Sequence, residues 1–468
     1  MPSKSRFALS RRRLLLTTSG VAASASLLRF AHAAVPREVR IVAKPGHAAL
    51  SGAGHPATDV WAYDGQVPGP ILRLRQGEPV RITVENQLEQ ETTVHWHGIR
   101  LPISMDGVPG ISQMPIAPGD TFTYAFTPPD AGTFWYHPHT NSLQQLGRGL
   151  SGALIVEERA ALPVDRDLVW LLSDWRLEPD GEMAPGFGNP MEAAMSGRIG
   201  KRVTLNGTAA PDQIVRAGER IRLRLINASL ARIMAVRIEG HSPTVIAVDG
   251  QPCEPHGPEG GRLLLGPAMR IDVTLDMQGE PGGRYAVIDD FYDGLSYTVT
   301  QLAYAAEPAV ARRPEQPPSI LARNPLPEPD LASAVHHELK LQGGMMSGMG
   351  GMSGMSHAVW AINGTSMTGD GDAGMPPLLT LKRMQTYVLS LVNETAWWHP
   401  IHLHGHSFKI LRRNGAAVPF QQWGDTVLLA PKDTVDCAFV ADNPGDWMLH
   451  CHVMDHQVSG LMTVLRVS

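Results

Sequence analysis

The sequence predicts an all-β chain of three β-sandwich domains in tandem. Three observations carry the prediction. Period-two alternation of apolar and polar residues recurs three times at domain-scale spacing. An Asp-Gly or Asn-Gly turn precedes each copy. The composition, with 47 Gly, 38 Pro and 6% aromatic residues, suits many short strands joined by turns. At 468 residues the chain is also too long for one ordinary core.

The first residues read as an export signal. Ser10-Arg11-Arg12-Arg13-Leu14-Leu15 is similar to the twin-arginine pattern, and an apolar run follows to Leu28. Ala31-His32-Ala33 supplies small residues for cleavage after Ala33 or Ala34. The run is broken by Ser and Gly and is short for a membrane span, so stable membrane insertion is not expected. The twin-arginine route ends in the bacterial periplasm or exterior. Removing residues 1–34, which hold six basic and no acidic residues, leaves 34 Lys+Arg against 45 Asp+Glu. That acidic balance favours solubility, and the absence of a long charge block argues against nucleic acid as a partner.

The first domain, 35–157, contains the alternating stretch 70–86 after Asp64-Gly65. The second, 158–310, repeats it over 214–229 after Asn206-Gly207. A Pro-rich linker, 311–334, leads to the third, 335–468, which repeats it over 378–395 after Asn363-Gly364. Such alternation suits antiparallel sandwich strands. Few long helices are expected; residues 143–150 suit a short one.

The three copies differ in chemistry. His95-Trp96-His97-Gly98 follows the first and His402-Leu403-His404-Gly405 the third. At the matching place in the second stands Ala235-Val236-Arg237-Ile238-Glu239-Gly240, so the middle domain reads as a spacer without metal ligands. His137-Pro138-His139 and His399-Pro400-Ile401-His402 add further histidines. The densest stretch is His450-Cys451-His452-Val453-Met454-Asp455-His456. In an extended segment His450 and His452 face one way and Cys451 the other. A zinc site wants Cys and His converging on one ion; this arrangement offers ligands to two separate centres. The other two cysteines, Cys253 and Cys437, make a disulfide framework improbable and read as small apolar residues, although a bridge between them stays open.

Together these motifs resemble the four copper signatures of three-domain multicopper oxidases, the laccase and bacterial copper-resistance oxidase family. The resemblance covers essentially the whole mature chain. It implies cupredoxin-like Greek-key sandwiches, four coppers, and one-electron oxidation of a donor coupled to reduction of dioxygen to water. By motif position the type 1 copper takes His399, Cys451 and His456. The type 2 copper takes His95 and His402. The type 3 pair takes His97, His137 and His452 on one ion and His139, His404 and His450 on the other. Cys451, His450 and His452 then form the electron path. Asp106, nine residues after His97, matches an acidic residue that family members use near the type 2 copper, and the proton relay falls to it. Asp106-Gly107 is equally a good turn pair.

Several positions depart from the pattern. The axial place at type 1 copper, where many bacterial relatives carry Met, is Leu461; alternation points the adjacent Met462 away. Without a thioether donor, the site is expected to have a raised potential. Gln457 stands where some relatives have a Glu linked to proton delivery. Thr395 and Trp397 stand where dedicated cuprous oxidases place an Asp and a Met. Residues 343–356 carry five Met among Gly and Ser, soft donors suited to Cu(I), or else a plain flexible linker. The expected enzyme is a periplasmic monomer, laccase-like on phenols and aromatic amines. The alternatives are a metallo-oxidase for Cu(I) or Mn(II), or a non-catalytic copper-binding scaffold.

Overall fold

The computed structural model describes residues 35–52, 54–310, 320–345, 359–371 and 374–468. The export signal, part of the linker and most of the Met-rich stretch therefore lie outside the described residues.

The described chain forms three two-sheet sandwiches. The first has the strand order Thr58–Tyr63, Arg37–Ala48, Val80–Asn86, Thr121–Phe126 in one sheet. Its other sheet runs Gly69–Arg75, Gly152–Glu157, Gly132–His137, His95–His97. The second and third sandwiches repeat this scheme with added edge strands.

The strands pair mainly antiparallel, as expected, with one addition. Each sandwich has a parallel pair in both sheets. In one sheet Arg37–Ala48 lies along Val80–Asn86, Arg166–Trp175 along Arg220–Asn227, and Val335–Gly343 along Thr386–Asn393. In the other, Gly69–Arg75 pairs with Gly152–Glu157, Asp212–Val215 with Tyr297–Tyr304, and Leu379–Leu381 with Met462–Val467. Side-chain alternation has the same period in both pairings, so the pattern could not tell them apart.

The three turns are also equivalent. Asp64 and Gly65, Asn206 and Gly207, and Asn363 and Gly364 all have positive φ, from 49° to 79°. Two successive left-handed residues are what a tight type I′ hairpin needs, and Asx-Gly is the pair that adopts it at least cost.

Each sandwich buries its own core: Ile82, Trp96, Tyr124 and Phe134 in the first; Trp170, Leu223, Leu225 and Val273 in the second; Leu389, Leu403, Phe439 and Trp447 in the third. Each such side chain stabilises the fold by roughly 1.5–3 kcal/mol. A further cluster joins all three domains, with Trp135, Leu143 and Leu146 from the first, Leu171, Ile226 and Leu230 from the second and Met454 from the third. Cys253 packs against the second core and Cys437 sits in the third; both thiols are free, and no bridge joins them.

The expected helix near 143–150 is observed as Ser142–Gly147. The segment from His450 to His456 is not extended throughout. Its strand, Gly445–Cys451, ends at the cysteine, and a helix, Met454–Val458, follows. That turn carries His456 back beside Cys451.

Candidate metal centre

Strand pairing brings the histidines together. His95–His97 lies antiparallel to Gly132–His137, with His95 opposite His137. In the third domain His399–Leu403 lies antiparallel to Gly445–Cys451, with His402 opposite His450 and Ile401 opposite Cys451. These strands hold equivalent places in their sheets, so the two outer domains present histidines toward each other.

Five buried groups of three result among the described residues, each with ligand atoms within 4.8 Å of one another: His95 with His97 and His402, His97 with His137 and His452, His139 with His404 and His450, His399 with Cys451 and His456, and His95 and His404 with Asp106. Every one of the eleven side chains named from the sequence as a ligand falls in such a group. His450 and His452 turn inward to two different groups, and Cys451 turns outward to a third.

The donor set fits copper. At the outward group Cys451 Sγ is 3.5 Å from His399 Nδ1 and 3.6 Å from His456 Nδ1, and the two nitrogens are 3.1 Å apart. This near-triangle of one sulfur and two imidazole nitrogens suits trigonal copper. Both rings are held from behind, His399 Nε2 by Thr395 Oγ1 at 2.8 Å and His456 Nε2 by the Met195 carbonyl at 2.7 Å, leaving Nδ1 for the metal. Leu461 is fully buried in the same core as Cys451, while Met462 packs elsewhere with Val108, Met367 and Met448. Burial pushes the Cys451 thiol up, so a cation is needed to hold it as thiolate.

At the inner cluster His95, His137, His402 and His450 direct Nδ1 to backbone carbonyls of Asp106, Pro138, Asp425 and Cys451, at 2.8–3.0 Å. His404 Nδ1 donates to Asp106 Oδ2 at 2.8 Å. Their Nε2 atoms point inward, and those of His95, His137 and His402 are buried without a partner. His97 is the exception: its Nε2 meets Asp425 Oδ1 at 3.1 Å and its Nδ1 is unpartnered. Orphaned nitrogens on this scale are costly without metal. Burial, and then the neighbouring histidines, hold His97, His139 and His450 well below the ordinary imidazole range, so they stay neutral and ready to ligate.

Asp106 sits in the tight turn expected of Asp106-Gly107. Gly107 has φ 82°, and a Cβ there would lie 1.9 Å from the Val94 carbonyl oxygen, so the tight turn demands glycine. That turn aims the buried Asp106 carboxylate at His404 and at His95 Nδ1, 3.3 Å away. Burial works to raise this carboxyl, but His404 and His95 outweigh it and hold it below the usual carboxylate range.

The sequence missed four contributors and the role of a fifth, Thr395. Asp425 touches His97 and its carbonyl orients His402. Arg270 grips Asp425 from the middle domain. Met195, also of the middle domain, holds His456. Thr395 holds His399. Trp360 lies edge-on to His399 at 5.0 Å and tilted over His456 at 4.3 Å. The middle domain is therefore not a mere spacer. The one available signal was Arg270 itself, a charge at an inward strand position between apolar neighbours.

Comparison with known proteins agrees with this geometry. Family models described as multicopper oxidase match residues 46–161, 166–306 and 352–468. The multicopper oxidase MmcO of Mycobacterium tuberculosis is 30% identical, over 96% of this chain and 92% of that protein. The multi-copper oxidase of Pseudomonas thermotolerans superposes with a TM-score of 0.83 at 37% identity, over 93% of this chain and all of that one. A metallo-oxidase of Campylobacter jejuni superposes with a TM-score of 0.78 at 26% identity, over 93% and 94% of the two chains. The chain belongs to the multicopper oxidase family, copper-dependent oxidoreductases with oxygen as acceptor.

Proposed function

We propose that this chain is a laccase-like oxidase of phenols and aromatic amines. His399, Cys451 and His456 hold the type 1 copper, and His95 and His402 the type 2 copper. His97, His137 and His452, with His139, His404 and His450, hold the type 3 pair. One observation carries the reading: three consecutive residues, His450, Cys451 and His452, serve three different buried groups. When bound, copper supplies one-electron exchange at the outer site and four-electron reduction of dioxygen to two waters at the inner one.

The chain's own residues do the rest. Cys451 gives electrons a covalent path of one residue on either side, into His450 and His452. Burial of all three keeps water from the path. Arg270 and Asp425 fix His97 and His402 before any ligand arrives. Asp106 accepts hydrogen bonds at the type 2 side and relays protons there.

For the donor, Trp398 next to His399 packs edge-on against Phe291 at 5.4 Å, an aromatic wall suited to a flat ring. A second reading, Cu(I) or Mn(II) as donor, is favoured by exposed methionines on the segment whose Met195 carbonyl holds His456, and beside it. Met191, Met195 and Met345 are exposed, and Met345 N–H donates to the Ala194 carbonyl at 2.8 Å, rooting the Met-rich stretch beside the residue that holds His456. Among the described residues no helix is long and apolar enough to cross a membrane. We assign the mature monomer to the periplasm on the twin-arginine signal.

Oxygen uptake by the copper-loaded protein tests this. A phenol should outpace Cu(I) and Mn(II), and deleting residues 346–356 should leave phenol oxidation unchanged. Faster Cu(I) oxidation that disappears with the deletion would establish the second reading. Absence of bound copper and of a thiolate-to-copper band would return the chain to a scaffold.

A further inference from the structure

Asp370 lies outside the ligand set, between the first and third domains. Its carboxylate accepts from the Ser142 backbone N–H, at 3.3 Å to Oδ1 and 3.2 Å to Oδ2, and from Ser142 Oγ. Gln457 Nε2 donates to Asp370 Oδ1 and to Ser142 Oγ, each at 3.4 Å. Gly369 N–H, donating to the Val458 carbonyl at 2.9 Å, ties the segment to the helix Met454–Val458. Ser142 and Gln457 are fully buried and Asp370 is half-buried, so the carboxylate stands between solvent and interior.

Two features make this more than a staple. Gln457 Oε1 is buried and has no hydrogen-bond partner among the described residues. A buried amide oxygen calls for a donor, and an ordered water meets that need. Asp370, moreover, pairs with no cation among the described residues; the groups facing it are Asn141 and Ser142 from the start of one helix and Gln457 from the other. Burial therefore pushes its carboxyl up to about 6, against the hydrogen bonds from Ser142 and Asn141. A carboxyl in that range exchanges protons readily near neutral pH. Asp106 and Asp425 differ, since their partners hold them ionised.

The helix bearing Gln457 abuts the inner cluster. Its Met454 packs with Trp135, and the Trp135 ring stacks on His137 at 4.3 Å and tilts toward His452 at 5.4 Å.

We infer that Asp370, through Ser142 and Gln457, is the solvent-side proton donor for dioxygen reduction at the buried histidine cluster. The inference rests on the oxygen-reducing reading of that cluster. One dioxygen takes four electrons, arriving through Cys451, and four protons to become two waters. In each passage the Asp370 O–H bond breaks and the proton moves to Ser142 Oγ or a water held by Gln457. The carboxylate then regains a proton from solvent.

The test is single-turnover reoxidation of the reduced holoenzyme by dioxygen, from about pH 5 to about pH 8. The wild type should show an inflection near pH 6, the range to which Asp370 is raised. Asp370→Asn keeps an acceptor for Ser142 but cannot ionise. It should reoxidise about tenfold more slowly or worse and lose the inflection, with copper content, type 1 band and type 1 reduction unchanged. Adding Gln457→Glu to that variant should restore most of the rate. In the copper-free protein, infrared difference spectra should show a protonated-carboxyl band titrating near the same pH and absent from the variant.

Wild-type rate and pH profile in Asp370→Asn would overturn the inference. So would loss of copper or of the type 1 band in that variant, which would make Asp370 a structural staple. Failure of the wild-type holoenzyme to reduce dioxygen would instead overturn the reading of the cluster, and this inference with it.

Discussion

Arg270 of the middle domain grips Asp425 of the third domain through both carboxylate oxygens, Nη1 to Oδ1 at 2.8 Å and Nη2 to Oδ2 at 2.5 Å, with both side chains fully buried. Asp425 reaches on to His97 Nε2, and its carbonyl to His402 Nδ1 at 2.9 Å. The middle domain thus sets the orientation of buried histidines from the other two. Burial opposes the charge on Asp425, but Arg270 and His402 outweigh it and keep the carboxylate ionised.

Arg270→Met leaves that carboxylate charged, buried and unpaired. Denaturant unfolding should show a loss of about 3–5 kcal/mol. The type 2 electron paramagnetic resonance signal should weaken before the type 1 band does, because His402 and His97 lose their support first. Unchanged stability and an intact type 2 signal would remove Arg270 from the account.

Asp106→Asn separates two half-reactions. Reduction of the type 1 site by a donor should proceed as in the wild type, since Asp106 bonds to His95 and His404 and, among the described residues, to none of His399, Cys451 and His456. Reoxidation by dioxygen should slow by about tenfold to a hundredfold. Stopped-flow traces of both phases would decide it, and equal reoxidation would rule out a relay at this carboxylate.

Leu461→Met places a thioether where the core now offers only hydrocarbon. A sulfur donor favours the oxidised ion, so the type 1 potential should fall. Redox titration of the type 1 band measures this directly. A potential unchanged or raised would mean that residue 461 does not face the copper.

Thr395→Val removes the hydroxyl 2.8 Å from His399 Nε2 with little change in volume. The ring should lose its fixed tautomer, and type 1 copper affinity should drop about 10- to 100-fold, with a shifted visible band. Competition with a copper chelator would quantify the loss.

The buried histidine and cysteine groups were legible because each of their residues sits in a short local motif, and strand alternation alone separates Cys451 from His450 and His452. The tandem domains were legible from three equivalent hairpin turns. Arg270, Asp425, Met195 and Trp360 were not legible: each acts through a partner from another domain or a distant strand, and no local spacing records such a contact. Thr395 was noted for what it replaces, whereas its role lies in the hydrogen bond to His399. The parallel strand pairs stayed hidden because alternation is blind to strand direction. The turn that swings His456 back to Cys451 is too short to leave a helical period.

Cys451 is expected to serve one copper while its neighbours His450 and His452 serve two others, one each. Copper analysis and spectroscopy of Cys451→Ser decide this. The variant should lose the thiolate-to-copper band and one of four coppers, keep the type 2 signal, and fail to couple donor oxidation to oxygen uptake. A surviving band, or loss of the inner coppers along with the outer one, would contradict the account.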